Sequence, residues 1–229
     1  MTGARGNQQA LQQAIRDYIV ESRLAPGSPM PTEAELTARF GVSRHPLREA
    51  MKVLEAVGIV DIRHGSGTFV GSGALTSLRD GLQFRAALSL HGDLAAIREL
   101  AQVRRALESG LAAEVLAVRE KLDVDGLRDA VAAIQRAAEA GEYDAASDWR
   151  FHRLLYEPLD NGLVLELLEV FWTVFRRIDD QLPEGDAAPE TIARWHVDIL
   201  AAVEQGEPGP LTDALTRHFD GIASRLKTS

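Results

Sequence analysis

The hydrophobic pattern of this chain changes once, near residue 70, and that change constrains the fold more than any other feature. Before it, short apolar runs alternate with Pro- and Gly-rich turns, and IVDIRHGSGTFV at 59–70 is typical of a β-hairpin. After it, only the helical repeat of apolar residues persists. We therefore expect two domains, residues 1–73 and residues 74–229, divided at the glycine-rich stretch Gly71 to Gly73.

The second part predicts an all-α antiparallel bundle. Its amphipathic segments are separated by Asp, Gly and Pro residues, which start or stop helices. The segments run roughly over 94–119, 124–140, 143–157, 163–182, 188–204 and 209–227. The stretch from Ala74 to His91 is expected to be helical as well. Short connections between such helices favour antiparallel neighbours.

The first part predicts a winged helix-turn-helix. Thr32 followed by Glu35 forms a capping-box pattern that opens a short helix, and Gly41 suits the left-handed residue that closes it. A second helix starts at Ser43 and tolerates Pro46 in its first turn. Two short helices joined in this way, followed by a hairpin, are typical of DNA-reading modules.

The second of these helices carries a basic stripe. At 100° per residue, Arg44, Arg48 and Lys52 lie away from its apolar side, and Arg63 and His64 stand at the glycine-rich hairpin turn. Guanidinium groups near a helix N-terminus can grip phosphates or guanine edges. A solvated basic face is the alternative for the stripe alone, but the order of helices, turn and hairpin favours DNA binding.

Charge and cysteine content narrow the chemistry. The chain carries a net charge of −9, yet residues 1–73 hold 8 basic and 7 acidic residues. The excess negative charge therefore lies in the second part. A nearly neutral first part can still present a local basic face. With no cysteine there is no disulfide or thiolate site, and any metal must be held by His, Asp or Glu.

Three histidines of the second part occupy apolar helix faces. His152, His196 and His218 fall on three different helices, and Asp148 precedes His152 by one turn. A buried imidazole needs a polar partner, and this set could share one cation. Each histidine alone could instead have a structural, hydrogen-bonded role. Neutral imidazoles with a carboxylate suit zinc, nickel, iron or manganese.

Arg104 and Glu108 lie one turn apart beside the apolar face of their helix. An ordinary ion pair is one interpretation, although Arg preceding Glu is the weaker order. The alternative is a half-buried arginine above a metal cavity, where its fork would hold the carboxylate of a ligand.

Three segments carry a family resemblance: LAPGSPMPTEAEL, FGVSRHPLREAMKVLEAVGIV and HGSGTFV resemble the winged-helix domain of GntR-type regulators. The resemblance implies that a set of positions on the second helix and hairpin turn contacts the operator. They are Ser43, Arg44, Arg48, His64 and Gly65, and we include His45, which lies between them, among the predicted DNA contacts. His45 stands where the family usually has Thr, and Ala34 where some members place a DNA-contacting Arg, so the operator sequence does not transfer.

The second part resembles the FCD effector domain of the FadR branch of this family. The similarity lies in VRRALESGLAA, DWRFHRLLYEPLDN and the helices around His196 and His218. It implies that Asp148, His152, His196 and His218 hold a divalent metal, that Arg104 holds the effector acid, and that the chain forms dimers.

Taken together, the sequence predicts a mainly α protein: a cytoplasmic DNA-binding repressor without membrane attachment. We expect a homodimer on an inverted-repeat operator, a divalent transition metal with zinc taken first, and a small mono- or dicarboxylate effector. The alternative is a metal-dependent, hydrolase-like enzyme using the Asp/His site. We do not expect an enzyme, because no HExxH-type signature accompanies the histidines. A protein-interaction scaffold would leave the inward histidines unexplained.

Overall fold

The computed structural model describes residues 2–182 and 188–226, with side chains from residue 7 onward. Its contacts divide the chain into two compact units, Met1–Asp80 and Gly81–Ser229. The first unit contains three helices and one hairpin: α1 (Thr2–Glu21), α2 (Glu33–Phe40), α3 (Arg44–Ala56), β1 (Val60–Arg63) and β2 (Gly67–Val70). Helix α4 (Thr76–Ser89) follows.

The helix-turn-helix forms where the capping pattern predicts it. The Thr32 hydroxyl accepts from the Glu35 backbone N–H at 3.3 Å, while the Thr32 N–H donates to the Glu35 carboxylate at 2.8 Å. Gly41 takes the left-handed conformation, with φ of 64°, that ends α2. Helix α3 then starts at Arg44, so the two helices meet across a tight turn.

The hairpin is antiparallel, with Val60 opposite Val70 and Arg63 opposite Gly67. The proline-rich segment before α2 also contributes to this sheet, because Pro29 forms a bridge with Phe69. The sequence predicts only a turn for that segment. Backbone pairing across it fixes the wing against the body of the first unit.

The first unit encloses its own apolar core, drawn from one face of each helix and the inner face of the hairpin. The buried residues are Leu11, Ile15, Ile19, Met30, Leu36, Leu47, Ala50, Met51, Leu54, Val60 and Val70. Because the apolar face of α3 packs into this core, its polar face is directed to solvent.

Among the described residues of the second unit, helices are the only regular secondary structure. Its helices are α5 (Ala95–Gly110), α6 (Ala112–Ala117), α7 (Val124–Glu139), α8 (Ala145–Tyr156), α9 (Gly162–Ile178), α10 (Pro189–Gln205), α11 (Pro208–His218) and α12 (Asp220–Arg225). Side chains of Asp123, Asp144 and Asn161 cap α7, α8 and α9 by accepting from the first-turn amides. The mainly α fold class that the sequence predicts is confirmed.

Two of the predicted helices are interrupted. The expected helix over 94–119 breaks at Leu111, whose N–H donates to the Glu108 carbonyl three residues back. The expected helix over 209–227 breaks at Phe219, whose N–H donates to the Thr216 carbonyl; its predicted end, Lys227, lies outside the described residues. Apolar periodicity continues through both breaks, so the pattern alone did not reveal them.

Two apolar clusters hold the second unit together. One lies among α6 to α11 and includes Leu127, Phe151, Leu155, Ile199 and Leu215. The other joins α4, α5, α9 and Leu226. Helix α11 packs against α5, α6 and α10, and α10 packs against α7. Helices α5, α8, α10 and α11 thereby come together around a small polar centre.

We predict that Gly71→Ala destabilises the first unit. The Gly71 N–H donates to the Ile59 carbonyl at 2.8 Å, and a Cβ at this position would lie 2.1 Å from the Gly58 carbonyl oxygen. Overpacking of this kind costs about 1–3 kcal/mol, which calorimetric melting of the first unit measures. Gly81→Ala is the control: open space surrounds this helical position, which belongs to the second unit, so the substitution should leave the melting of the first unit unchanged. Equal melting of Gly71→Ala and wild type would contradict the clash.

Candidate functional site

The polar face of α3 presents three basic side chains to solvent. The side chains of Arg44, Arg48 and Lys52 are 74%, 63% and 68% exposed. Ser43 and His45 at the start of the helix are exposed too. This face has the charge and position that contact with a DNA backbone requires.

A carboxylate that the sequence analysis did not single out lies among these arginines. Glu33, in the first turn of α2, approaches Arg48 Nε at 2.8 Å and Arg44 Nε at 3.5 Å. In the sequence, Glu33 is accounted for as an acidic residue in the first turn of α2, where such residues are favoured. Its contact with the arginines becomes visible only in the folded turn between α2 and α3. Exposed pairs of this kind add little to folding stability.

The hairpin turn holds the remaining predicted DNA contacts. His64 and Gly65 are exposed at its tip, and Gly65 has a positive φ of 77°. Arg63, beside them, is instead directed along the hairpin: its Nε donates to Asp61 at 2.8 Å and its guanidinium lies 4.3 Å from the Phe69 ring centre. The tip therefore offers a close backbone approach rather than a free guanidinium.

In the second unit, the structure brings together Asp148, His152, His196 and His218. Each offers one ligand atom, and these atoms all lie within 4.8 Å of one another. Helix α8 supplies Asp148 and His152 from consecutive turns, α10 supplies His196, and His218 is the last residue of α11. His152 and His196 are fully buried.

Backbone and carboxylate contacts orient two of the imidazoles. His196 Nδ1 lies 2.9 Å from the Ile192 carbonyl, which assigns the proton to Nδ1 and directs Nε2 towards Asp148 Oδ1 at 2.8 Å. His152 Nδ1 lies 2.7 Å from Glu108 Oε2, which directs Nε2 inward as well. There it stands 3.1 Å from Nε2 of His218.

These contacts bring electron-rich atoms face to face. With its proton on Nδ1, His196 turns a lone pair towards an ionised carboxylate, and its buried Nε2 has no hydrogen-bond partner. Two imidazole Nε2 atoms also face each other at 3.1 Å. Atoms placed in this way need a shared proton or cation, so the donor set fits a metal ion.

Protonation states agree with this interpretation. Burial and the neighbouring histidines hold the pKa of His218 well below its usual value. Burial acts to raise the pKa of Asp148, but without a metal a proton shared with His196 and positive charge shared among the histidines outweigh it and keep that pKa well below the usual range. A neutral imidazole and an ionised carboxylate are the forms that bind a metal.

Arg104 combines the two interpretations that its sequence position left open. It is buried, its Nε donates to Glu108 Oε1 at 2.6 Å, and its guanidinium lies 5.3 Å from the Phe219 ring centre. It also lines the cavity that Asp148 and His218 border. The ion pair and the cavity-facing arginine are therefore one arrangement.

The cavity is lined by both charged and aromatic side chains. Its volume is about 870 Å³, within the range of ligand pockets. Arg104, Asp148 and His218 border it together with Trp172 and Trp195, and the further charged residues of the lining are Arg176, Asp179, Asp180 and Arg225. An organic anion with an apolar or ring-shaped body matches such a surface.

The role of Glu108 was missed from the sequence. Spacing indicates its pairing with Arg104, four residues away, but its contact with His152 joins residues 44 positions apart. No periodic signal connects α5 to α8 in that way.

Comparison with known proteins decides the family. Residues 7–70 match the model of bacterial regulatory proteins of the gntR family, and residues 99–221 match the FCD domain. The chain belongs to the GntR family. The combination of domains agrees with the FadR branch, which the resemblance implied, so that identification is confirmed.

GntR-family relatives span nearly the whole chain. The chain is 28% identical over 219 residues to the HTH-type transcriptional repressor RspR of Escherichia coli strain K12, covering 96% of this chain and 88% of RspR. It is 27% identical over 239 residues to the Uxu operon transcriptional regulator of the same strain, covering 98% and 88%. This GntR-family chain is a transcription regulator.

A solved structure shares the fold. Streptococcus agalactiae GntR superposes with a TM-score of 0.61 at 24% identity, covering 94% of this chain and 98% of that one.

No helix among residues 2–182 and 188–226 has the length and apolar character needed to cross a membrane.

Proposed function

We propose that the chain is a repressor whose operator binding is modulated by a small carboxylic acid bound at a metal site in the FCD domain. One observation carries the proposal: Asp148 and His218 border the same cavity as the buried Arg104. We assign operator binding to residues 1–73 and metal binding, effector binding and dimerisation to residues 74–229.

The metal ligands in this proposal are Asp148 Oδ1 and one ring nitrogen each of His152, His196 and His218. Three imidazoles and one carboxylate suit zinc first, with nickel, iron or manganese as alternatives. The bound cation would supply positive charge and an open coordination position to the acid. Because it bridges α8, α10 and α11, binding would also tie three helices together.

Charge selects the class of ligand. Asp148 and Glu108 are ionised and Arg104 is cationic, so with neutral imidazoles the buried side chains carry one net negative charge. A divalent cation reverses this to one net positive charge, which a monocarboxylate neutralises. A hydroxy- or keto-acid could reach the cation and the Arg104 fork together. For a dicarboxylate, Arg176 at the cavity lining offers a further cation.

In this proposal the DNA contacts come from the start of α3 and from the hairpin tip. They are Ser43, Arg44, His45, Arg48, His64 and Gly65. A single recognition helix reads only a few base pairs, so a two-fold dimer on an inverted repeat supplies the specificity. Exposed apolar side chains of the second unit support dimer formation: Phe84 and Leu88 lie one turn apart on α4, and Val103 is exposed on α5.

An enzyme would use the same cluster to activate water. The DNA-reading unit has no place in that alternative, and the family consists of regulators. We therefore assign the metal to ligand sensing.

We predict that a metal stabilises the wild-type protein. A ligand that binds only the folded chain adds about 4 kcal/mol at a thousandfold excess over Kd, so a chelator should lower the melting temperature. His196→Ala should retain no metal and ignore the chelator, whereas His91→Ala, outside the cluster and exposed, should behave as wild type. Metal analysis by mass spectrometry and melting curves test this. A wild-type protein without metal, with melting unchanged by chelator, would contradict it.

We predict that acid binding requires both the metal and Arg104. Calorimetry with a panel of small hydroxy- and keto-acids should give binding to zinc-loaded wild type, weaker binding to Arg104→Ala and Arg104→Lys, and none after zinc removal. Arg105→Ala, an exposed neighbour on α5, is the matched control. The acid that binds should change operator affinity by about 5- to 150-fold. Equal binding to wild type and both Arg104 variants, or binding without an effect on the operator, would refute the sensor.

We predict that Arg48→Ala weakens operator binding by about 1–3 kcal/mol if its guanidinium grips a base edge. Fluorescence anisotropy on the inverted repeat measures the loss, and the complex should contain two chains. Arg16→Ala, on α1, is the control and should leave affinity unchanged. If Arg48→Ala bound the operator with unaltered affinity, Arg48 would be a solvated residue of α3 and not a DNA contact.

A further inference from the structure

The Glu108 carboxylate uses both of its oxygens, each towards a different functional residue. Oε1 accepts from Arg104 Nε at 2.6 Å, and Oε2 lies 2.7 Å from His152 Nδ1. The side chain is fully buried. Tyr156 further fixes the residue, since its hydroxyl donates to the Glu108 backbone carbonyl at 3.3 Å.

We propose that Glu108 is a positioning residue shared by the metal ligand His152 and the acid-binding Arg104. This inference rests on the proposed function of the cavity. One carboxylate fixes the proton of His152 on Nδ1, so that Nε2 binds the metal, and its other oxygen holds the guanidinium at the cavity wall. The distance between the metal and the acid-binding fork is thereby set by a single side chain.

The proposal depends on the hydrogen-bonding capacity of a carboxylate. An ionised carboxylate only accepts, and the two groups beside it, Arg104 Nε–H and His152 Nδ1–H, can both donate. The geometry matches this capacity: Oε1 accepts from the Arg104 guanidinium at 2.6 Å, and Oε2 faces His152 Nδ1 at 2.7 Å, so each oxygen faces one possible donor.

The contact with His152 is close but not yet aligned. At 2.7 Å the two atoms are at hydrogen-bond distance, while neither Glu108 Oε2 nor His152 Nδ1 has a partner at a favourable angle. A rotation of the imidazole about its Cβ–Cγ bond would align them. A carboxylate that accepts from the outer ring nitrogen of a metal-bound histidine orients the ring and raises its basicity.

Replacing Glu108 by Gln would break this sharing without changing its size. An amide offers one acceptor and one donor, so it can serve Arg104 or His152 but not both in their present protonation states. If the amide nitrogen faces His152 Nδ1, the ring proton moves to Nε2, where it blocks the metal. Glu108→Asp keeps the charge but shortens the reach by one methylene, so it separates charge from geometry.

The experiment compares wild type, Glu108→Gln, Glu108→Asp and the control Glu114→Gln, which makes the same change at an exposed position of α6. Zinc affinity is measured by chelator competition. We expect both Glu108 variants to bind zinc about 10- to 100-fold more weakly, and Glu114→Gln to bind as wild type does. A folded Glu108→Gln variant with wild-type zinc affinity overturns the proposal.

A second measurement needs no variant of Glu108 to fold. In ¹⁵N spectra of wild type, His152 should carry its proton on Nδ1 with and without zinc, and the Arg104 Nε–H should exchange slowly with solvent. His152→Gln and Arg104→Lys identify the two signals. A His152 proton on Nε2, or fast exchange at Arg104 Nε, overturns the proposal. A wild type that binds no zinc yet shows the Nδ1 proton refutes the proposed function instead.

Discussion

An ionised carboxylate that is buried away from water needs nearby cations or hydrogen-bond donors to replace its lost hydration. Two carboxylates, those of Asp148 and Glu108, lie in the interior of the second unit. Their partners come from four helices: Arg104 on α5, His152 on α8, His196 on α10 and His218 on α11. Each helix must present its polar residue at one rotation about its axis. The apolar clusters on either side supply the cohesion, while the charges specify the arrangement.

The same requirement explains the shape of the cavity. Charged groups line the cavity where α5, α8 and α11 meet and again along the end of α9, where Arg176 and Asp179 lie. Trp172 also lines it: its ring centre lies 5.4 Å from that of Trp149, and the Arg176 guanidinium lies 5.1 Å from it. In the proposed function, Arg104 and the metal would hold the carboxylate of the acid, and the aromatic rings of the lining would contact the remainder of the molecule and select among acids.

The local features of the fold were predictable from the sequence, whereas the contacts between distant elements were not. The capping box at Thr32 and the left-handed Gly41 are set by residues a few positions apart, so the helix-turn-helix was predictable. Inward histidines were predictable because helical periodicity places them. The Glu108–His152 contact depends on how α5 meets α8, and the breaks at Leu111 and Phe219 lie inside continuous apolar patterns. Those features follow from packing, which a linear pattern does not encode.

The contact of Glu33 with Arg44 and Arg48 affects how DNA recognition responds to ionic strength. For bare cations, each phosphate neutralised displaces condensed counterions and steepens the decline of affinity with salt. If Arg44 and Arg48 contact DNA as proposed, Glu33 acts as an intramolecular counterion that DNA must displace, and added salt screens this competing pair as well as the pair with phosphate. Operator binding would then show a flatter salt response than the number of cations on α3 implies.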